Sequence, residues 1–174
     1  MRRRPYPGLA PGASLRRDPA LVPLSQDHHH ALVQSLRLRE GAQGAPGDAP
    51  AVARAFLDHW RTAMLGHFAD EEEVLCPPLE ATDPEGVARL RSEHAELREL
   101  VAGLAAGLDA GEDPRERMAE IGWLVHDHVR FEERALFESA QARLSAAQLA
   151  DVGRALEQHR SARGLAPACP PRKG

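Results

Sequence analysis

Two near-copies of one short phrase in this chain place a histidine four residues before a glutamate. One phrase runs from His67 to Glu71, and the other runs from His128 to Glu132. Residues four apart on an α-helix lie on the same face, one turn above the other. Each phrase therefore directs an imidazole and a carboxylate towards one point, which is the chemistry of a metal-binding site.

Two further histidines begin apolar helical stripes of their own. His94 is followed by a leucine three residues later and by a valine seven residues later. In the run His28-His29-His30, His29 is the best centred, because apolar residues follow it at three, four and seven positions. We therefore expect His29 and His94 to supply donors from two more helices, with His28 as the alternative to His29.

The two glutamates of the repeated phrase fall among the apolar residues that should face the core. A buried carboxylate without a partner is strongly unfavourable, and no Lys or Arg lies one turn away on the inner face of either helix. A divalent or trivalent cation is the simplest partner. Since the pattern occurs in both halves of the chain, the sequence predicts two metal ions side by side, each with two histidines, bridged by Glu71 and Glu132.

Apolar residues recur at spacings of three and four along four long segments, which predicts helices that each bury one face. The first helix should begin at Ser25 as its cap, and the second should end before Pro77. The expected helices cover about 25–40, 51–75, 84–108 and 114–142, followed by a short one that the Ser145 and Gln148 capping box opens and that runs to about 160.

Short connections between these helices favour antiparallel neighbours. The predicted fold class is all-α: an up-down-up-down four-helix bundle with a short C-terminal fifth helix and irregular N- and C-terminal tails. The bundle domain should cover 24–160, between an irregular tail at 1–23 and a disordered one at 161–174.

Composition excludes several classes of function. The net charge of −4 gives no general electrostatic reason to bind nucleic acid. No apolar run approaches the roughly 20 residues of a membrane helix. The two cysteines form no CxxC pair, so a reducing, cytoplasmic location is expected. Phrases typical of ferritin-type carboxylate sites, zinc proteases, phosphate loops and serine hydrolases do not occur.

The order of these residues resembles the hemerythrin-like (HHE cation-binding) proteins. The second helix reads HFxxEExxL and the fourth reads HVxxEExxLF, and the likeness covers about residues 24–140. The resemblance implies an all-α bundle with two non-haem iron ions, joined by an oxo or hydroxo bridge, and a small diatomic molecule or peroxide as the partner. Carried over by position, the metal ligands are His29, His67, Glu71, His94, His128 and Glu132.

This chain differs at two positions from the oxygen-carrying hemerythrins. Those proteins have a histidine four residues before the one on the third helix, where this chain has Leu90. They also have a longer spacing on the fourth helix, which leaves Glu133 as an alternative to Glu132. The missing histidine would leave an open coordination position, and this argues against simple reversible oxygen carriage.

Three functions follow from this pattern. The first is a di-iron protein that binds or transforms O2, NO or peroxide, with enzymatic turnover left open. The second is an iron or oxygen sensor, or a storage bundle, without turnover. The third is a structural bundle that binds zinc, because zinc can outcompete Fe(II) for such ligands. The oligomeric state is left open.

Overall fold

The computed structural model of the protein describes residues 17–45 and 47–164. Within these residues every regular element is helical, and no strand occurs. A short 3₁₀ turn, Pro19–Leu21, precedes the first long helix. The helices are α1 (Val22–Gln43), α2 (49–79), α3 (Pro84–Asp109), α4 (115–143) and α5 (Ala146–Ala162). The all-α prediction is confirmed.

The helix α1 begins earlier than the sequence predicts. It begins at Val22, so Ser25 lies inside the helix and is not its cap. The preceding turn is capped by Asp18, whose Oδ1 accepts a hydrogen bond from the backbone N–H of Ala20 at 2.9 Å. Pro23 sits in the first turn of α1, where its missing N–H costs no hydrogen bond. The predicted tails otherwise fall mostly on 1–16 and 165–174, outside the described residues.

Both α2 and α4 contain turns with π-helical hydrogen bonding. The segments of α2 are Ala49–His59, Trp60–Met64 (π), Leu65–Asp70, Glu71–Leu75 (π) and Cys76–Leu79. The segments of α4 are Arg115–Phe131, Glu132–Leu136 (π) and Phe137–Arg143. In the π turns the backbone N–H of Cys76 donates to the carbonyl of Glu71, and that of Phe137 donates to the carbonyl of Glu132. Such turns occur often at functional sites.

The helix α2 also continues past the point where its end was predicted. Pro77 and Pro78 lie in the helical turn Cys76–Leu79. They follow Cys76, which is the first residue after the π turn, and lie in the first turn of the new segment, where a missing N–H is tolerated. The helix α5 matches its prediction closely, because Ser145 and Gln148 form the expected capping box.

The core consists of two apolar clusters with a polar layer between them. On α3, His94 lies between Leu90 of one cluster and Leu97 of the other. On α1, His28 lies in the same way between Leu24 of one cluster and Ala31 of the other. The histidines and glutamates of interest therefore lie inside the protein, with apolar packing above and below them.

The helices α1 and α4 pack closely and run in opposite directions. The hydroxyl of Ser35 donates to the carbonyl of Gly122 at 2.7 Å, whereas His28 lies against Glu133. Moving along α1 from 28 to 35 therefore corresponds to moving backwards along α4. A Cβ atom added at Gly122 would lie 2.9 Å from the carbonyl oxygen of Ser35, so only glycine permits this approach.

The helix α5 is joined to α2 by a buried carboxylate. Asp70 is fully buried and accepts hydrogen bonds from His159 at 2.7 Å, Arg160 at 3.0 Å and Arg163 at 2.5 Å. The C-terminal half of α5 therefore lies beside the glutamate-bearing part of α2.

None of the helices in 17–45 and 47–164 combines the length and apolar character that a membrane crossing needs. The domain boundary at 160 stays a prediction.

Candidate metal centre

Four buried histidines, one from each of α1 to α4, point into the polar layer of the core. They are His28, His67, His94 and His128. Glu71 and Glu132 lie among them and are completely buried. The structure thus brings together five of the six residues that the sequence proposes as ligands. Their binding of metal stays a prediction.

The prediction that His29 faces the interior is wrong. His29 is exposed, and His28 occupies the inward position with 2% exposure. The buried face of α1 follows Leu24, His28, Ala31, Ser35 and Leu38. Two of these residues are small because α1 packs so closely on α4, while larger apolar side chains on the next face of the helix are exposed. The larger residues therefore indicated the wrong face.

The donor atoms form two groups of four, and each group can hold a metal ion. One group contains His28 and His67, whose Nε2 atoms are 3.1 Å apart. The other contains His94 and His128, whose Nε2 atoms are also 3.1 Å apart. Both groups include Glu71 and Glu132, and the four ligand atoms of each group lie within 4.8 Å of one another.

Glu71 extends one carboxylate oxygen into each group. Its Oε1 lies 3.3 Å from Nε2 of His67 and 3.7 Å from Nε2 of His28. Its Oε2 lies 3.3 Å from Nε2 of His94. A carboxylate placed in this way can bridge two cations.

Glu132 spans the same two groups from the opposite helix. Its Oε2 lies 3.1 Å from Nε2 of His28, and its Oε1 lies 3.1 Å from Nε2 of His128 and 3.9 Å from Nε2 of His94. Glu133, the alternative bridging residue, belongs to neither group. Its Oε1 instead lies 2.7 Å from Nδ1 of His28, on the outer side of that ring.

Each of the four histidines also binds a carboxylate through its outer nitrogen, Nδ1. The pairs are His28 with Glu133 (2.7 Å), His67 with Asp27 (3.4 Å), His94 with Glu72 (2.7 Å) and His128 with Glu93 (2.9 Å). Each carboxylate is in turn held by an arginine, in the same order Arg17, Arg160, Arg98 and Arg89. Since a carboxylate can only accept, Nδ1 carries the hydrogen, and Nε2 of the neutral ring is left free to bind a metal.

These outer contacts join the helices in a closed order. Asp27 of α1 binds the histidine of α2, and Glu72 of α2 binds the histidine of α3. Glu93 of α3 binds the histidine of α4, and Glu133 of α4 binds the histidine of α1. Each helix therefore orients the donor of the next one, and the fourth returns to the first.

The chemistry of the donors fits a pair of cations. All four carboxylate oxygens of Glu71 and Glu132 are buried and lack a hydrogen-bond donor. The inner nitrogens of the neutral histidines are acceptors as well. Eight acceptor atoms that converge without a donor repel one another unless positive charge lies between them. Imidazole and carboxylate together suit iron, zinc and other transition metals.

Protons supply that positive charge when no metal is bound. Burial favours the neutral ring of His128, but the negative charges of Glu132 and Glu71 outweigh it and raise its pKa to about 10. Burial is likewise outweighed at His28, where Glu132 and Glu133 raise the pKa well above its ordinary value. The pKa of Glu132 is lowered well below its ordinary value, because the attraction of His128 overcomes the effect of burial. Metal ions must therefore displace protons to bind.

Two phenylalanines, one from α2 and one from α4, hold imidazole rings in place. Phe68 stacks on His94, with ring centroids 3.6 Å apart and planes at 9°. Phe137 stacks on His28, with centroids 5.3 Å apart and planes at 13°. These contacts fix ring orientation and cover the rings from solvent.

The outer carboxylates are the functional residues that sequence reasoning missed. Glu72, Asp27 and Glu93 do not belong to the ligand set that the sequence predicts, and Glu133 enters it only as an alternative to Glu132. Each of the four lies next in sequence to an inward-facing donor, as Glu93 does beside His94. That adjacency is the signal that could have revealed them. Leu90 is fully buried, so the position of the missing histidine is apolar.

Comparisons with known proteins agree with this geometry. A DNA nickase from Nostoc sp. (strain PCC 7120 / SAG 25.82 / UTEX 2576) is 31% identical over 86 residues, which are 49% of this chain. The aligned part is only 24% of that relative's own length. No solved structure matches at a significant level. Residues 21–140, which are most of the chain, match the family described as the hemerythrin HHE cation binding domain. The chain therefore belongs to the hemerythrin HHE cation-binding family.

Proposed function

We propose that this protein holds two non-haem iron ions and binds or reacts with O2, NO or peroxide at them. The observation that supports this most directly is that Glu71 and Glu132 each share their two oxygens between two pairs of histidines. Two bridging carboxylates would hold two ions side by side. A pair of adjacent redox-active ions is suited to small ligands that accept electrons.

The arrangement of the side chains would leave room for such a ligand. Each ion would receive two imidazole nitrogens and one oxygen from each glutamate, which is fewer donors than an octahedral ion accepts. Iron, when bound, supplies a Lewis acid that exchanges electrons with the ligand. The residues of this chain orient the imidazoles, keep the bridging carboxylates ionised and exclude bulk water.

The direction of the helices agrees with this proposal. We infer an up-down-up-down order for α1 to α4, supported by the antiparallel packing of α1 and α4 through Ser35 and Gly122.

A second candidate is a structural zinc site, which one observation favours. Four protein donors in each group also match the tetrahedral coordination that zinc prefers in closed sites. Zinc would stabilise the bundle without reacting with peroxide or O2. A sensor or storage role would use the same iron ions but without turnover.

Metal analysis of protein purified without oxygen tests the main proposal. The iron content per chain should approach two, and O2, NO and peroxide added separately should each give a distinct change in absorption. Zinc bound in place of iron, in cells supplied with iron, would refute the assignment. A spectral change with O2 or NO and no consumption of peroxide would favour sensing.

Two variants test whether Glu71 and Glu132 bridge two ions. Glu71→Ala and Glu132→Ala should each reduce bound iron to less than half, because each removes a donor from both groups. Glu99→Ala, at an exposed position of α3, is the matched control and should retain full iron. Unchanged iron in both of the first two variants would exclude bridging.

A further inference from the structure

A cavity of about 110 Å³ adjoins the metal centre beside His67. His67 belongs both to the wall of this cavity and to one of the two donor groups. Thr62 and Ala63, which also line it, are exposed. The cavity therefore reaches from the protein surface to a donor of the centre.

His67 is the most accessible of the four inward histidines. It is 7% exposed, whereas His28, His94 and His128 are 2%, 0% and 1% exposed. The rings of His28 and His94 are each covered by a stacked phenylalanine. The side of His67 is therefore the least sealed approach to the centre.

His67 is also the least tightly held of the four rings. Its Nδ1 lies 3.4 Å from Asp27, while the other three outer hydrogen bonds measure 2.7 Å, 2.7 Å and 2.9 Å. Asp27 itself is shared with Arg160, which binds both of its oxygens at 2.7 Å and 3.2 Å. A ring on a long, shared hydrogen bond turns more easily than one on a short bond.

The lining of the cavity supplies groups that bind transition-metal cations. His30 and His59 line it. Burial lowers the pKa of His59, which favours the neutral ring that can donate a lone pair. Arg160 is already bound by two carboxylates, which makes the cavity a poor site for an anion.

The wall of the cavity also contains an unusual piece of backbone. Thr62, Ala63 and Met64 belong to the π turn Trp60–Met64, in which the N–H of Leu65 donates to the carbonyl of Trp60. The other two π turns begin at Glu71 and Glu132, which belong to the donor groups. This one begins at Trp60, which belongs to neither group, and it lies beside the cavity.

We propose that this cavity is the entrance through which divalent metal ions reach the centre, with His67 as the donor that turns to admit them. The proposal rests on the metal-binding function proposed above. It assigns His30 and His59 to the mouth of the route and the oxygens of Glu71 and Glu132 to its end. The route serves loading and release alike.

Loading of the metal-free protein, residues 1–174, with Co(II), followed by visible absorption in a stopped-flow instrument, tests the proposal. Ala63→Phe should fill the cavity and slow both loading and chelator-driven release by about tenfold, with unchanged final cobalt per chain. Ala102→Phe, at an exposed alanine of α3, is the matched control and should load at the wild-type rate. Equal rates for the two variants would overturn the proposal.

A second variant should change the rates in the opposite direction. Asp27→Ala removes the outer hydrogen bond of His67, so cobalt should load and leave faster than in wild type. Slower loading of this variant would contradict the role of the ring. Wild-type protein that takes up no metal would refute the metal-binding function itself, whereas normal cobalt content with unchanged rates in Ala63→Phe would refute only the entrance.

Discussion

The carboxylate of Glu93 accepts a hydrogen bond from Nδ1 of His128 at 2.9 Å, and both side chains are buried. Glu93 also binds Arg89 at 2.9 Å. The histidine thus has one nitrogen bound to a neighbouring helix and the other directed at the buried glutamates. This relationship recurs at all four histidines and leads to the first prediction.

Replacing Glu93 with glutamine should weaken metal binding without unfolding the protein. The amide keeps the size of the carboxylate but loses the charge that makes His128 a better donor, and changes of this kind typically cost 10–100-fold in affinity. Competition between the protein and a chelator for Co(II) would measure the loss. Glu99→Gln, on the exposed face of α3, should leave affinity unchanged.

Adjacent histidines on α1 give an internal comparison. His28→Ala should remove one donor from one group and reduce tightly bound metal from two ions to about one. His29→Ala should keep both ions, because His29 is exposed. Metal content after dialysis would distinguish the two variants. A loss of metal in His29→Ala would show that α1 is turned differently from its position in the structure.

Removal of metal should lower the melting temperature. A ligand that binds only the folded state at a hundred times its dissociation constant adds about 2.7 kcal/mol to the free energy of unfolding. Thermal unfolding followed by circular dichroism, with and without a chelator, would measure the difference. The double variant Glu71→Ala and Glu132→Ala should show almost no response to the chelator.

Acid should destabilise the metal-free protein in a defined range of pH. Burial raises the pKa of Glu72 and of Glu133, but bonds from His94 and Arg98, and from His28 and Arg17, lower both values from 4.5 to about 2. A carboxyl whose pKa is lower in the folded state adds stability above its unfolded pKa. That stability is complete above about pH 4.5 and disappears as the pH falls to about 2.

The double variant Glu72→Gln and Glu133→Gln isolates this contribution. It should be less stable than wild type at pH 7, and the difference should shrink as the pH approaches 2. Urea unfolding at several pH values would show the trend. Glu120→Gln, at an exposed position of α4, should follow the wild-type curve. A difference between the double variant and wild type that stays constant with pH would contradict the assignment.

The inward positions of His67, Glu71, His128 and Glu132 could be predicted because spacing on a helix fixes them. A separation of four residues places two side chains on one face whatever the neighbouring helices do. The position on α1 could not be predicted in the same way. Its buried face carries Ala31 and Ser35, and their burial depends on the close approach of Gly122 from α4.

The contacts of the outer carboxylates and the positions of the π turns could not be predicted from the sequence for a related reason. Glu72 and His94 belong to different helices, so their contact depends on how those helices are rotated against each other. A π turn moves one backbone hydrogen bond from the fourth to the fifth residue, and no side chain in Glu71–Leu75 marks that change. The start of a helix is predicted closely where a side chain caps it, as at Asp83 and Ser145, whereas α1 has no such cap and its start was missed.

The closed order of outer contacts has a consequence for how the helices can move. On each of α1 to α4 an inward-facing donor and an outer carboxylate are consecutive residues, about 100° apart around the axis. A rotation of any one helix by about 100° would turn its donor away from the centre and would break its outer contacts with both neighbouring helices. The contacts at the centre therefore fix the angle of each helix about its own axis. One of the four helices cannot rotate unless the other three rotate with it.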